Sequence, residues 1–139
     1  MPERLLALTL KSDIDEIPRL STALHALMED HGFPEEDILD TQLAVEEAVT
    51  NVIMHGYKGG SGEVLVLCKA DVGIIEIRLE DRAVPFNPLT LPAPDLGGDI
   101  EDRKIGGLGF FLIRQVMDEI LYRYEDGKNI LTMIKRKTN

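Results

Sequence analysis

The chain has 139 residues, with 15 Lys and Arg against 25 Asp and Glu and a formal charge of −10. With 44% hydrophobic and 29% charged residues, it has the composition of one ordinary globular domain that buries a core without cross-links, not of a disordered segment. Acidity opposes non-specific contact with nucleic-acid phosphates, no apolar run reaches membrane-span length, and the single cysteine, Cys68, provides neither an internal disulfide nor a cysteine-rich zinc site.

MPERLLALTLKSD lacks the basic start, long apolar stretch and small-residue cleavage site of a secretory signal, so a cytoplasmic protein is expected. Within it, Arg4 to Lys11 alternates, with Leu6, Leu8 and Leu10 on one face, which predicts a half-buried strand. Ser12 or Asp13 is placed to cap a helix predicted from about Asp15 to His31 and stopped by Gly32, with Ile17, Leu20, Leu24, Leu27 and Met28 at the helical period. A second helix is predicted from about Pro34 to His55 or Tyr57. Proline suits its first turn, and Glu35, Glu36 and Asp37 complement the positive end of its dipole. Ile38, Val45, Val49, Val52 and Gly56 form its apolar stripe, with Glu47 and Asn51 roughly opposite. No Lys or Arg falls between Arg19 and Lys58, whereas eight acids do.

GYKGGSGE is a turn region, after which Glu63 to Ala70 and Ile74 to Glu80 predict a hairpin around Asp71-Val72-Gly73. The stretch from Asp81 to Ile105, with Pro85, Pro88, Pro92, Pro94 and Gly97-Gly98, exceeds common connection lengths and reads as a lid, a binding loop or a disordered segment. Gly106 to Gly109 opens a third helix to about Asp118 or Glu119, with Phe111, Leu112, Val116 and Ile120 at helical spacing. Leu121 to Tyr124 and Asn129 to Lys135 flank Asp126-Gly127 as a last hairpin. This order predicts an α+β sandwich, helices covering one face of a mixed, mostly antiparallel sheet.

Glu47 and Asn51 stand side by side at i and i+4, with His55 a turn later, a pattern that standing alone reads as a solvated helix face and becomes functional only with something for it to face. Asp81, where a strand meets the long loop, has the acceptor chemistry to receive an exocyclic amine and is equally an ordinary turn former. Gly106-Gly107-Leu108-Gly109 lets backbone approach an anion at a helix start, or acts as a lid hinge or a close packing point; it is neither a Walker A nor a Rossmann sequence. Plainer roles are expected elsewhere. His55 is structural, His25 and His31 lie on the surface, Phe110 and Phe111 are core, Cys68 is inert, and Lys135 to Lys137 form a solvated tail. Arg19 is a candidate partner contact or pairs with Asp15 or Glu16.

Taken in order, EEAVTNVIMHGY with Glu47 and Asn51, DRAVPFNP at 81–88 and GGLGFFLIRQVMDEI at 106–120 resemble the N, G1 and G2 boxes of the GHKL ATPase superfamily. The match is closest to the small stand-alone anti-sigma factor serine/threonine kinases. The resemblance implies a Bergerat-type two-layer α+β sandwich with a long ATP lid, one histidine-kinase-like ATPase domain over 1–139, with no sensor or phosphoacceptor domain beside it. It implies ATP and Mg²⁺ as cofactors, Glu47 as the catalytic carboxylate, Asn51 as the magnesium ligand and Asp81 as the adenine reader. The other nucleotide-binding positions it implies are Ala83, Phe86, Lys104, Gly106, Gly107, Leu108 and Gly109; Arg103 and Lys104 alternatively are solvated lid charges. Ala83 departs from the usual Asp-x-Gly, which puts ATP affinity in question if that position needs a positive φ. The implied partners are a STAS-type antagonist, which it phosphorylates, an alternative sigma factor and a second copy in a homodimer, with neither nucleic acid nor membrane. Two alternatives stay open, a non-catalytic nucleotide-binding module that holds a partner, and a histidine-kinase-like catalytic subunit acting in trans. The −10 charge implies that nucleotide affinity depends strongly on magnesium.

Overall fold

The computed structural model describes residues 3–90 and 107–138. Strand β1 (Arg4–Lys11) leads through a 3₁₀ turn (Ile14–Glu16) into helix α1 (Ile17–Asp30), and helix α2 (Glu35–Asn51) continues as a π-helical turn (Val52–Gly56). Strands β2 (Glu63–Asp71) and β3 (Ile74–Asp81) precede a 3₁₀ turn (Pro88–Thr90), then helix α3 (Gly107–Val116), β4 (Glu119–Glu125) and β5 (Lys128–Arg136). The sheet order is β1-β2-β3-β5-β4, and every pairing is antiparallel, so the expected mixed sheet is purely antiparallel among the described strands. Because β5 inserts between β3 and β4, these two strands, consecutive along the chain with α3 between them, do not pair.

Strand alternation puts Leu10, Val64, Val66, Cys68, Ile75, Ile77, Leu79 and Met133 on one buried face. Against it pack Ile17, Leu20, Leu24 and Met28 of α1, Ile38, Val45, Ala48 and Val49 of α2, and Phe110 and Ile113 of α3. Burying each large aliphatic side chain contributes about 1.5–3 kcal/mol. Helix α2 is central and packs against both α1 and α3. No helix among the described residues is long and apolar enough to cross a membrane.

Three features depart from expectation. Helix α3 stops at Val116 and β4 begins at Glu119, because the Asp118 N–H donates to the Ile134 carbonyl (2.9 Å) and the chain joins the sheet early. His31 is buried, not on the surface, with its Nδ1 2.9 Å from the Leu27 carbonyl at the α1 C-terminus, a place where helix carbonyls lack backbone partners. Lys135 is buried rather than in a solvated tail, because strand register sets it opposite Ile75 on the helix-covered face. Its Nζ donates to the Val116 carbonyl at 2.7 Å and pairs with Asp40 at 3.6 Å, joining the end of α3 to the first half of α2. Most other expectations hold. Arg19 pairs with Glu16 at 3.3 Å, Phe110 is core, and burial pushes the Cys68 thiol up to about 12, leaving it unreactive, whereas Phe111, expected in the core, is only half-buried because it lies one residue off the buried line of Phe110 and Ile113.

The C-terminal segment is fastened by a fully buried carboxylate. Asp37 accepts the Thr138 N–H at Oδ2 (2.8 Å) and the Thr138 hydroxyl at Oδ1 (2.6 Å). Asp37→Ala is expected to lower unfolding free energy by about 1.5–3 kcal/mol in urea denaturation, and Thr138→Ala by about 1 kcal/mol. Equal stability of Asp37→Ala and the unaltered chain would contradict this clamp.

Candidate functional site

Asp81 is the last residue of β3, and the sheet register sets it beside Val64 of β2 and Asn129 of β5. Only 6% exposed, its Oδ1 accepts the Ala83 N–H and the Asn129 amide, both at 3.0 Å. Its Oδ2 accepts no hydrogen bond among the described residues. Burial pushes the Asp81 carboxyl above its ordinary range, and the bonds from Asn129 and Ala83 oppose that rise without cancelling it.

Asn129 organises the loop that follows. Its Nδ2 also reaches the Ala83 and Val84 carbonyls at 3.2 Å, while its Oδ1 accepts the Phe86 N–H (3.1 Å) and the Tyr122 hydroxyl. Burial raises the Tyr122 phenol above its ordinary value, and the nearby Asp81 charge adds to the rise. Phe86 is thus tied through its backbone while its side chain stays exposed. Ala83 is buried, and the only non-glycine residues of positive φ among those described are Lys58 and Asp126, so alanine meets no backbone strain there.

The helical turn before Tyr57 delivers a second brace. The Tyr57 hydroxyl donates to the Glu63 carbonyl (2.8 Å) and accepts the Arg82 N–H (2.9 Å), joining the end of α2 to both strands of the β2–β3 pair. A Cβ on Gly62 would lie 2.4 Å from the Tyr57 ring, so close approach requires glycine there.

Glu47 and Asn51 are half-buried on α2, and neither makes a hydrogen bond or ion pair with a described residue. Two contacts locate the flank they occupy. Gln42 donates to the Ser21 carbonyl at 3.0 Å, which marks the α1 side of α2, while Asp40 reaches Lys135 and through it the last carbonyl of α3. Glu47 and Asn51 follow Asp40 by seven and eleven residues and therefore share its flank, toward α3. Since α3 ends beside Asp40 and its ten residues span about 15 Å, nearly the rise from Asp40 to Asn51, its N-terminus lies level with Asn51. The Asn51 amide and the Glu47 carboxylate, neither bonded to a described residue, thus lie with the start of α3 toward the end of the molecule where Asp81 also sits. That combination suits a ligand with an amine at one end and phosphates at the other.

The expected site residues therefore divide. Glu47, Asn51, Asp81, Ala83 and Phe86 lie at one end of the sandwich. Gly107, Leu108 and Gly109 begin α3, whereas Arg103, Lys104 and Gly106 lie outside the described residues. His55, expected to be structural, is instead exposed and makes no side-chain hydrogen bond with a described residue. Sequence reasoning missed Asn129, Tyr57 and Tyr122. The available signal for Asn129 was its place just after the Asp126-Gly127 turn, but its partner depends on β5 pairing with β3.

Two other features stand apart. A hollow of about 310 Å³ is lined by Tyr57, Gly62, Glu63, Glu80, Asp81, Arg82 and Lys128, and by neither Glu47 nor Asn51. At the α1–α2 corner, His25 turns Nε2 to Glu35 (3.3 Å) and Nδ1 to Glu29 (3.8 Å), spanning two carboxylates instead of aiming one nitrogen at both.

The model of the histidine kinase-like ATPase domain matches residues 10–135. The chain belongs to the histidine kinase-like ATPase family. It is 34% identical over 131 residues to the serine-protein kinase RsbW of Listeria monocytogenes serovar 1/2a, covering 91% of this chain and 82% of that one. It is 33% identical over 104 residues to RsbW of Bacillus mycoides, covering 72% of this chain and 65% of that one. Among solved structures, the RsbU and RsbW domains of a Mycobacterium tuberculosis protein superpose with a TM-score of 0.69 at 19% identity, which shows the shared fold. That match covers 98% of this chain, which spans 33% of the larger protein. Family membership thus agrees with the α+β sandwich derived from strand register and helix packing.

Asp81 holds its proton more tightly in the folded ATPase domain than in the unfolded chain. Its contribution to stability is therefore complete below the ordinary value of 3.8 and is lost as pH rises through the raised folded value. Asp81→Asn keeps an acceptor for Asn129 and Ala83 and removes the buried charge. It is expected to raise Tm by a few degrees at pH 7, with the gain vanishing below pH 3.8. Thermal scans across pH check this, and a Tm at pH 7 no higher than that of the unaltered protein would contradict it.

Proposed function

We propose that the chain is an ATP-dependent serine/threonine protein kinase that acts in the cytoplasm as an anti-sigma factor in a partner switch. Its substrate would be a STAS-type antagonist, and it would hold an alternative sigma factor in the other state. What supports this reading is that the turn following Glu47 and Asn51 packs against the loop that leaves one oxygen of Asp81 free. The curated relatives named above, all serine-protein kinases, support the same activity.

Asp81 Oδ2 is suited to accept the adenine N6 amine, because the other carboxylate oxygen already takes two donors. Gly107, Leu108 and Gly109 would offer backbone N–H groups to the phosphates, with Lys104 and Gly106 assigned to the same lid. Asn51 is uncommitted and fits the need of Mg²⁺ for one or two protein oxygens. When bound, the ion would neutralise phosphate charge, a necessity in a chain of net charge −10. Glu47 would accept the proton of an attacking serine or threonine hydroxyl; the hydroxyl oxygen bonds to the γ-phosphorus, the bond to ADP breaks and ADP leaves. A second copy in a homodimer belongs to the same proposal.

Incubation with [γ-³²P]ATP, Mg²⁺ and candidate STAS-type antagonists tests the proposal. Acid-stable serine or threonine labelling is expected, and Glu47→Gln should reduce it about 100-fold or more while nucleotide binding persists. Labelling that survives Glu47→Gln would remove the assigned base. ATP binding without transfer would favour a non-catalytic module, and an acid-labile product would favour histidine transfer.

A further inference from the structure

Gly56 closes the π-helical turn that follows Asn51, and its backbone does not demand glycine, since it is not among the described residues of positive φ. The space around it does. A Cβ at Gly56 would lie 3.8 Å from Val52 Cγ1, an ordinary contact, but 2.9 Å from the Cβ of Ala83. Carbon atoms rest about 3.5–4.0 Å apart, so two side chains do not fit there. Ala83 has little freedom to yield, being 8% exposed, with its N–H on Asp81 Oδ1 and its carbonyl on Asn129 Nδ2. The turn that follows Glu47 and Asn51 therefore packs against the loop anchored by Asp81 with one methyl group, that of Ala83, between the two backbones, beside the hydrogen bond from Arg82 N–H to the Tyr57 hydroxyl.

We propose that Gly56 and Ala83 are a size-complementary pair whose one methyl sets the spacing between the two halves of the nucleotide site, making Gly56 a positioning residue. Alanine at the usual Asp-x-Gly position is thereby matched to glycine at 56. The pair couples the acceptor for adenine to the residues assigned to magnesium and proton transfer. This rests on the nucleotide reading of the Asp81 end.

A four-member cycle tests it: the unaltered protein, Gly56→Ala, Ala83→Gly and the double variant, each measured by calorimetry with MgATP and by thermal unfolding without nucleotide. Gly56→Ala is expected to weaken MgATP binding about tenfold and to lower Tm. Ala83→Gly should change binding about twofold, and the double variant should recover to within about threefold of the unaltered protein. Unchanged binding in Gly56→Ala, or a double variant as weak as Gly56→Ala, would overturn the pairing while leaving the nucleotide reading intact. Failure of the unaltered protein to bind MgATP would overturn the nucleotide reading and with it the assigned role of Gly56, even if the two substitutions remained coupled in Tm.

Discussion

A carboxylate that is nearly buried must be held by donors or give up its charge, and the hydrogen bond from Asn129 to Asp81 governs the rest of this site. One amide side chain spans the last residue of β3, the backbone of residues 83–86 and the Tyr122 hydroxyl. With both functional ends of Asn129 engaged, the loop after β3 has a defined path out of the sheet. Asp81 is left with one oxygen fully occupied and the other available. Two donors on the same oxygen therefore do more than stabilise the carboxylate, because they determine which oxygen stays available.

The second requirement is the relation of α2 to α3. Lys135 fixes the distal ends of these helices through Val116 and Asp40, and the lengths of the two helices then bring the α3 N-terminus level with Asn51. Residues that look like a polar helix surface, Glu47 and Asn51, thus face a neighbouring helix and are half-buried. The antiparallel sheet supports both halves: β3 and β5 supply Asp81 and Asn129, and the same β5 carries Lys135 on the same helix-covered face. One strand consequently holds the Asp81 carboxylate from near its start and sets the helix spacing near its end.

Much of this was legible in the sequence because it is local. Alternation in Arg4–Lys11, the helical period of Ile17, Leu20 and Leu24, and the Asp126-Gly127 turn each depend on neighbours a few residues away. Glu47, Asn51 and Asp81 were found because their order along the chain resembles a known set of motifs. Asn129 was not, since its partner lies 48 residues away and is fixed only once β5 is known to pair with β3. Lys135 and His31 were misread for the same reason: a charged residue near the end of the chain and a histidine beside a glycine look exposed until the sheet face and helix end are assigned. The π-helical turn at Val52–Gly56 left no periodic mark distinct from the helix before it, and the compatibility of Ala83 with its position depended on a backbone angle.

We propose that Asp81 Oδ2, left free because Asn129 and Ala83 occupy Oδ1, reads an exocyclic amine. Calorimetric comparison of MgATP with MgITP tests this most directly, because inosine carries a carbonyl where adenine carries the amine. MgATP is expected to bind about 100-fold more tightly or better, since a carboxylate facing a carbonyl leaves two acceptors unpaired. Equal affinity for the two nucleotides would contradict it.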